Sequence, residues 1–147
     1  MGIFNGLDIS ASGLTAQRFR MDVASSNIAN TDTTRETMVN GRWQPYTRKV
    51  VHLSSIGPSF ESVFQNSLGS SAGGVEVSAV TNDPAPYRMK YDPSDPDADP
   101  NGYVRMPNVD PLKEMVDLMD ANRSYEAGVT VMNANKNMLL RALDIGR

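Results

Sequence analysis

Residues 110–147, DPLKEMVDLMDANRSYEAGVTVMNANKNMLLRALDIGR, determine the fold of this chain. Asp110 suits a helix N-cap, Pro111 suits the first helical position, and Gly146 stands where a glycine commonly follows a helix. Steps of three and four residues alternate through Met115, Leu118, Asn122, Tyr125, Val129, Met132, Lys136, Leu139 and Leu143. This 3.5-residue repeat is typical of helices that wind around one another. It predicts a helix about 50 Å long, at about 1.5 Å per residue, that needs a helical partner.

A second helix with a seven-residue repeat is predicted near the start of the chain. Its repeat runs through Leu7, Leu14, Met21 and Ile28. The repeat stops at Asn30, and residues 31–34 (TDTT) form turns more readily than helix. Both helices are too long to bury their apolar stripes against the residues between them. We therefore expect them to pack on each other or on neighbouring copies, with the polar Asn122 and Lys136 fixing the register.

The residues between the helices carry short β-strand patterns. Strands are predicted at residues 46–53, 60–65, 74–81 and 87–91. A glycine- and serine-rich stretch at 67–74 indicates a flexible joint, and four prolines between residues 91 and 107 indicate an extended connector. The expected fold is α+β, with long N- and C-terminal helices paired in a coiled-coil-like arrangement and a small β-containing middle segment. The expected divisions are residues 1–31, 32–107 and 108–147.

Composition excludes several functional classes. The chain has no Cys, so it can form neither a disulfide nor a zinc–thiolate site. Its net charge is −3 and its Lys and Arg are scattered, which argues against nucleic-acid binding. No apolar run is long enough to span a bilayer. Only 31 of its 147 residues are Leu, Ile, Val or Phe, a sparse supply of core residues that favours a protein built for assembly.

Short motifs near both ends resemble those of the flagellar axial proteins, which comprise rod, hook and hook-associated subunits. The first motif is NIANT at residues 27–31, where the first helix closes. The second group is PNVD at 107–110, EMV at 114–116 and RSYEA at 123–127. Hook and distal-rod subunits are usually much longer than 147 residues. The chain is therefore identified as a member of the rod group within this family.

Further motifs in the middle of the chain are similar to those of proximal rod subunits. They are GGVEV at residues 73–77, YDP at 91–93, PDAD at 96–99 and NGYVRMP at 101–107. Residues 35–44 and 54–71 match no part of that pattern and look like local insertions.

The resemblance implies a role, a location and partners. Rod subunits of this kind form the proximal part of the driveshaft that crosses the periplasm, so the expected partners are other rod subunits and copies of this chain. Export by the flagellar type III apparatus, without a cleaved signal peptide, is also implied, and residues 1–17 lack the basic and apolar regions of a secretory signal. The candidate assembly contacts are Leu7, Leu14, Met21, Asn27, Ile28, Asn30, Leu118, Tyr125, Val129, Met132, Leu139 and Leu143.

Catalytic and metal sites are weakly supported by the residues, and we expect no enzyme activity, cofactor or metal. Residues 97–102 (DADPNG) match the first half of a calcium loop, but Arg105 and Asn108 occupy its later ligand positions. His52 is the only histidine, and no serine lies in a nucleophile elbow. The open alternatives are a calcium-binding module and a soluble coiled-coil adaptor or export chaperone.

Overall fold

The computed structural model describes residues 5–39, 41–57 and 73–145. Within these ranges, two long helices lie before and after six short strands in the chain order, and the predicted α+β class is confirmed. The elements are α1 (Asn5–Ala29), β1 (Thr37–Val39), β2 (Arg42–Gln44), β3 (Lys49–Ser55), β4 (Val75–Asn82), β5 (Arg88–Tyr91), β6 (Tyr103–Met106) and α2 (Pro111–Ile145).

Polar side chains close α1 at its C-terminus. The Asn30 backbone N–H and the Asn30 side-chain amide both donate to the Ser26 carbonyl, at 3.1 and 2.9 Å. The Thr31 hydroxyl donates to the Ile28 carbonyl at 2.8 Å. Because the last carbonyls of a helix have no partner within it, these bonds satisfy groups that would otherwise need water. The helix therefore ends where the sequence predicts, at the NIANT motif.

At the start of α2, Asp110 caps the helix as predicted. Its carboxylate accepts a hydrogen bond from the Leu112 N–H at 3.1 Å, and its carbonyl accepts one from the Glu114 N–H at 3.0 Å. Pro111 lacks an N–H, so the first helical position loses nothing by holding it. Neither helix in the described ranges is both long and apolar enough to cross a membrane.

The six strands form three two-stranded sheets, β1–β2, β3–β4 and β5–β6. The first sheet is an antiparallel hairpin with Met38 opposite Trp43, and in the third Lys90 lies opposite Val104. The sequence predicts neither the β1–β2 hairpin nor β6, because residues 35–44 carry no regular alternation and the prolines around β6 favour an extended connector. The predicted strand at 46–53 begins at Lys49, while the one at 60–65 lies outside the described residues.

Turns, rather than an extended chain, join β5 to β6 through residues 92–102, which we call the Asp/Pro loop. Aspartate side chains organise it: Asp95 accepts from the Asp97 N–H at 2.9 Å, and Asp92 accepts from the Ser94 hydroxyl at 2.7 Å. Such bonds favour turns over extended backbone. Gly102 closes the loop with a φ of 78°, and a Cβ there would lie 3.0 Å from the Tyr91 ring.

Packing divides the chain into two compact units. One, the helical unit, comprises the described parts of Met1–Met21, His52–Ala79 and Met119–Arg147; the other, the mixed unit, comprises those of Asp22–Val51 and Val80–Leu118. Each helix contributes residues to both units. The buried residues of the helical unit include Ala16 and Ala121, whereas those of the mixed unit include Ala24, Asn27, Tyr46, Val104, Pro107, Val109 and Glu114.

Candidate assembly site

A less exposed face runs along α2 with the predicted 3.5-residue repeat. It consists of Glu114, Leu118, Ala121, Tyr125, Gly128, Met132, Asn135 and Leu139, at alternating steps of four and three residues. The sequence correctly identifies the larger residues of this face, Leu118, Tyr125, Met132 and Leu139. At each alternate position, however, the predicted seam residue lies one residue after the one that faces inward. The structure leaves exposed the predicted seam residues Met115, Asn122, Val129, Lys136 and Leu143.

The displaced half of the seam has a simple physical reason. Sequence reasoning favours Met115 and Val129 because they are apolar, whereas the positions that face inward are occupied by Ala121, Gly128 and Asn135. Small residues in a seam allow two helices to approach closely, which apolarity alone does not reveal. A glycine inside a helix costs about 1 kcal/mol relative to alanine, so helix propensity does not explain Gly128. Its packing against α1 does.

Gly128 marks the close approach of the two helices in the helical unit. A Cβ atom at Gly128 would lie 2.9 Å from Leu14 Cδ2, closer than carbon atoms normally come. Leu14 belongs to the predicted α1 repeat and is half-buried. The contact therefore places the α1 repeat against α2, as the paired-helix expectation requires.

Asn135 provides a polar link in the same seam. Its side-chain amide donates to the Gly6 carbonyl at 3.3 Å and to the Ser10 hydroxyl at 3.2 Å. A polar residue in a helical seam can fix the register of the two helices. The expected register residues, Asn122 and Lys136, are exposed, so this role passes to Asn135.

In the mixed unit, the helices meet through the buried amide of Asn27, which is 1% exposed. Its Nδ2 donates to the Lys49 carbonyl at 2.9 Å and to Glu114 Oε2 at 2.8 Å. Its Oδ1 accepts from the Tyr46 hydroxyl at 2.9 Å and from the Lys49 N–H at 3.0 Å. One amide thereby uses both donors and both acceptor sites to join α1, α2 and the start of β3.

The Glu114 carboxylate, 2% exposed, extends this arrangement through Arg48. Arg48 Nε donates to Glu114 Oε1 at 2.6 Å, and its Nη atoms contact Asp83 at 3.1 Å and Asp117 at 3.4 Å. Burial lowers the pKa of Arg48, but the hydrogen bonds and negative charges of Glu114 and Asp83 outweigh it, so the net shift is upward. We call Asn27, Tyr46, Arg48, Asp83, Glu114 and Asp117 the polar cluster.

Comparison with known proteins supports the motifs at both ends. The family described as "Flagella basal body rod protein" matches residues 7–35, and the family described as "Flagellar basal body rod FlgEFG protein C-terminal" matches residues 101–145. The flagellar basal-body rod protein FlgC of Bacillus subtilis is 57% identical, and the match covers the whole of both chains. This chain belongs to the FlgC family of flagellar basal-body rod proteins.

Two more distant FlgC proteins match over nearly the same extent. That of Salmonella typhimurium is 43% identical over the whole of both chains, and that of Borreliella burgdorferi is 40% identical over 99% of this chain and 98% of its own. The resemblance inferred from the sequence is thereby confirmed. Residues 35–44 and 54–71, which matched no motif, lie within these full-length alignments.

Within this FlgC-family chain, most candidate assembly contacts lie at intermediate exposure. Asn27 is buried, and Val129 and Leu143 are exposed. Half-buried are Leu7, Leu14, Met21, Ile28, Asn30, Leu118, Tyr125, Met132 and Leu139. Sequence reasoning missed Arg48 and Tyr46, which have no distinctive spacing. Glu114 could have been identified, because it lies within the quoted EMV motif and the same face of α2 as Leu118.

The half-matching calcium loop has a different use. Arg35 binds both carboxylate oxygens of Asp97, through Nε at 2.6 Å and Nη2 at 2.8 Å. The Arg35 hydrogen bond lowers the pKa of Asp97, and burial opposes this shift. Among the residues that the structure describes, no cluster of His, Asp and Glu is arranged to hold a metal ion. Asp97 thus joins the Asp/Pro loop to the chain that follows α1.

Proposed function

We propose that this chain is a non-catalytic structural subunit of the proximal rod of the bacterial flagellar basal body. The observation that carries the proposal is full-length similarity to FlgC at 57% identity. The geometry supports it, because the most distinctive contacts hold helices together. The buried Asn27 amide has all its hydrogen-bonding positions engaged, and the Glu114 carboxylate is bound by Asn27 and Arg48. Neither group is available to a substrate.

A component that transmits torque requires helices that do not slide along each other, and the hydrogen bonds between α1 and α2 meet this requirement. Asn135 and the polar cluster each oppose sliding of α1 along α2, because sliding would separate bonded groups, some of them buried. Removing one partner from a buried polar pair costs roughly 1–3 kcal/mol. A subunit with several such bonds resists shear between its terminal helices.

An apolar face near the start of α2 is the surface we assign to neighbouring rod subunits or copies of this chain. Leu112, Met115 and Val116 have the i, i+3, i+4 spacing of one helix face, and all three are exposed, Leu112 to 72%. Full burial of each side chain would contribute about 1.5–3 kcal/mol. We call these three residues the apolar face, and assembly supplies the covering that the chain itself does not.

The proposed location is the periplasmic rod, reached through the flagellar type III export apparatus without cleavage of a signal peptide. Mass spectrometry of rod-associated protein tests the route. Peptides from residues 1–17 should be recovered, and loss of that segment by cleavage would instead indicate the general secretory route.

A motility experiment separates assembly from folding. In cells that lack the native gene, Met115→Asp should abolish swimming and the recovery of rods, because a buried carboxylate in the interface would lose its hydration. Ser124→Asp is the matched control, an exposed polar site on the same helix. Both purified variants should retain the circular dichroism of the parent. Normal rods with Met115→Asp would contradict the assignment of the apolar face.

A further inference from the structure

A cavity of about 460 Å³ lies in the mixed unit between the β1–β2 hairpin and the Asp/Pro loop. Arg42, Trp43 and Gln44 line it from β2, and Val104 and Arg105 line it from β6. None of the described lining residues belongs to α1 or α2, so occupation of this cavity can be tested separately from the packing of the helices. We call this cavity the hairpin groove.

Two arginines of the groove have no ion-pair partner among the residues that the structure describes. Arg42 and Arg105 are exposed, and neither forms an ion pair or a side-chain hydrogen bond with any residue the structure describes. By contrast, Arg35 neutralises the lining residue Asp97. The other lining carboxylate is Asp99. Arg42 and Arg105 outweigh it, so the groove carries a net positive charge in a chain whose net charge is −3.

Strands from two different sheets line the same groove. Among the described strands, β2 pairs only with β1 and therefore has one edge without a neighbouring strand. β6 pairs only with β5, and its Tyr103 carbonyl accepts a hydrogen bond from the Asp99 N–H at 2.8 Å. Open edges can receive an extended peptide through main-chain hydrogen bonds. Trp43, which is 45% exposed, and Val39 add apolar surface to the lining. A ligand that fits this groove should therefore be extended, negatively charged and partly apolar.

We propose that the hairpin groove binds an extended acidic peptide segment of a partner protein. Carboxylates on one side of the peptide pair with Arg42 and Arg105, and its apolar side chains contact Trp43. The alternation of side chains along an extended peptide presents the two kinds of group to opposite sides. A guanidinium pairs well with a carboxylate because two of its N–H groups can donate in parallel.

Fluorescence of Trp43 offers a direct test, since it is the only tryptophan in the chain. The probe is a synthetic capped peptide of three alternating Val-Glu pairs, titrated into the full-length protein. We expect saturable change in Trp43 emission, with affinity that weakens as salt is added. The corresponding Val-Lys peptide and free glutamate should produce no saturable change over the same concentrations.

Arginine variants test the groove itself. The double variant Arg42→Gln with Arg105→Gln should weaken binding about twenty-fivefold, from about fivefold for each ion pair. Arg18→Gln, an exposed arginine on α1 outside the groove, should bind as the parent does. The proposal is overturned if the double variant retains parental affinity or if the Val-Glu peptide leaves Trp43 emission unchanged. The proposal is also overturned if the Val-Lys peptide binds as well as the Val-Glu peptide, or if a neutral oligosaccharide such as chitotetraose binds and the Val-Glu peptide does not. Both of these outcomes are measured with the parent protein, so they do not depend on the folding of a variant.

Discussion

At the scale of single residues, the polar cluster illustrates how a short motif acquires its physical meaning. The NIANT motif contains two asparagines with separate tasks. Asn30 closes α1 through the Ser26 carbonyl, whereas Asn27 lies inside the mixed unit and binds Glu114, Tyr46 and Lys49. A buried amide that makes four hydrogen bonds specifies one arrangement of the surrounding elements, because any other would leave polar groups unpaired.

Substitution of Asn27 by alanine should destabilise the protein by roughly 2–3 kcal/mol, because the buried Glu114 carboxylate and Tyr46 hydroxyl would each lose the hydrogen bond to Asn27. Urea unfolding followed by circular dichroism measures the change. Asn133→Ala is the control, an exposed asparagine on α2 where we expect a change within about 0.5 kcal/mol. Equal stability of Asn27→Ala and the parent would contradict the structural role of the cluster.

The cluster also predicts a dependence of stability on pH. The pKa of Asp83 is lowered by the Ala85 backbone N–H, with burial opposing and Arg48 adding to the effect. A carboxylate with a lowered folded-state pKa stabilises the fold above its unfolded value, about 3.9, and that contribution is lost as pH falls through the folded value. Asp83→Asn should therefore lower Tm at about pH 7, and its difference from the parent should shrink at about pH 2.5. If the Tm difference between Asp83→Asn and the parent is the same at both pH values, titration of Asp83 does not contribute to the loss of stability in acid.

At the scale of elements, the pairing of α1 with α2 depends on small and polar seam residues as much as on apolar ones. Gly128→Val would place branched atoms where a single Cβ already lies 2.9 Å from Leu14. We expect a loss of about 1–3 kcal/mol from overpacking. Gly13→Val is the matched control, because a Cβ at Gly13 meets nothing within 4 Å.

Thermal unfolding compares the two glycine variants. Adding Leu14→Ala to Gly128→Val should restore part of the lost stability, because it removes the atoms that the valine meets. If Gly128→Val and Gly13→Val unfold at the same temperature, the helices do not approach closely at Gly128.

The sequence predicts the helices well and the rest of the fold only in part. Heptad spacing, the Asp110 cap and the turn after Asn30 are local signals, so the helix ends follow from them. Residues 37–44 lack alternation, and β6 lies among prolines, so their pairing depends on distant contacts that no local pattern contains. The polar cluster joins residues that are far apart in sequence, such as Asn27 and Glu114. Local sequence patterns therefore do not predict it either.

At the scale of the whole molecule, two kinds of surface remain for partners. One is the apolar face at the start of α2, which we assign to rod assembly. The other is the hairpin groove, whose positive charge and unpaired β2 edge fit an acidic peptide. The chain is poor in core residues, and few large side chains among the described residues are completely buried. Assembly would therefore supply part of the apolar burial that this small chain lacks.

Electron cryomicroscopy of isolated basal bodies that carry this chain tests the central claim most directly. Our account predicts density for the chain within the rod, with Leu112, Met115 and Val116 buried against a neighbouring subunit. Basal bodies whose rod lacks the chain, or a rod in which these three side chains face solvent, would contradict it.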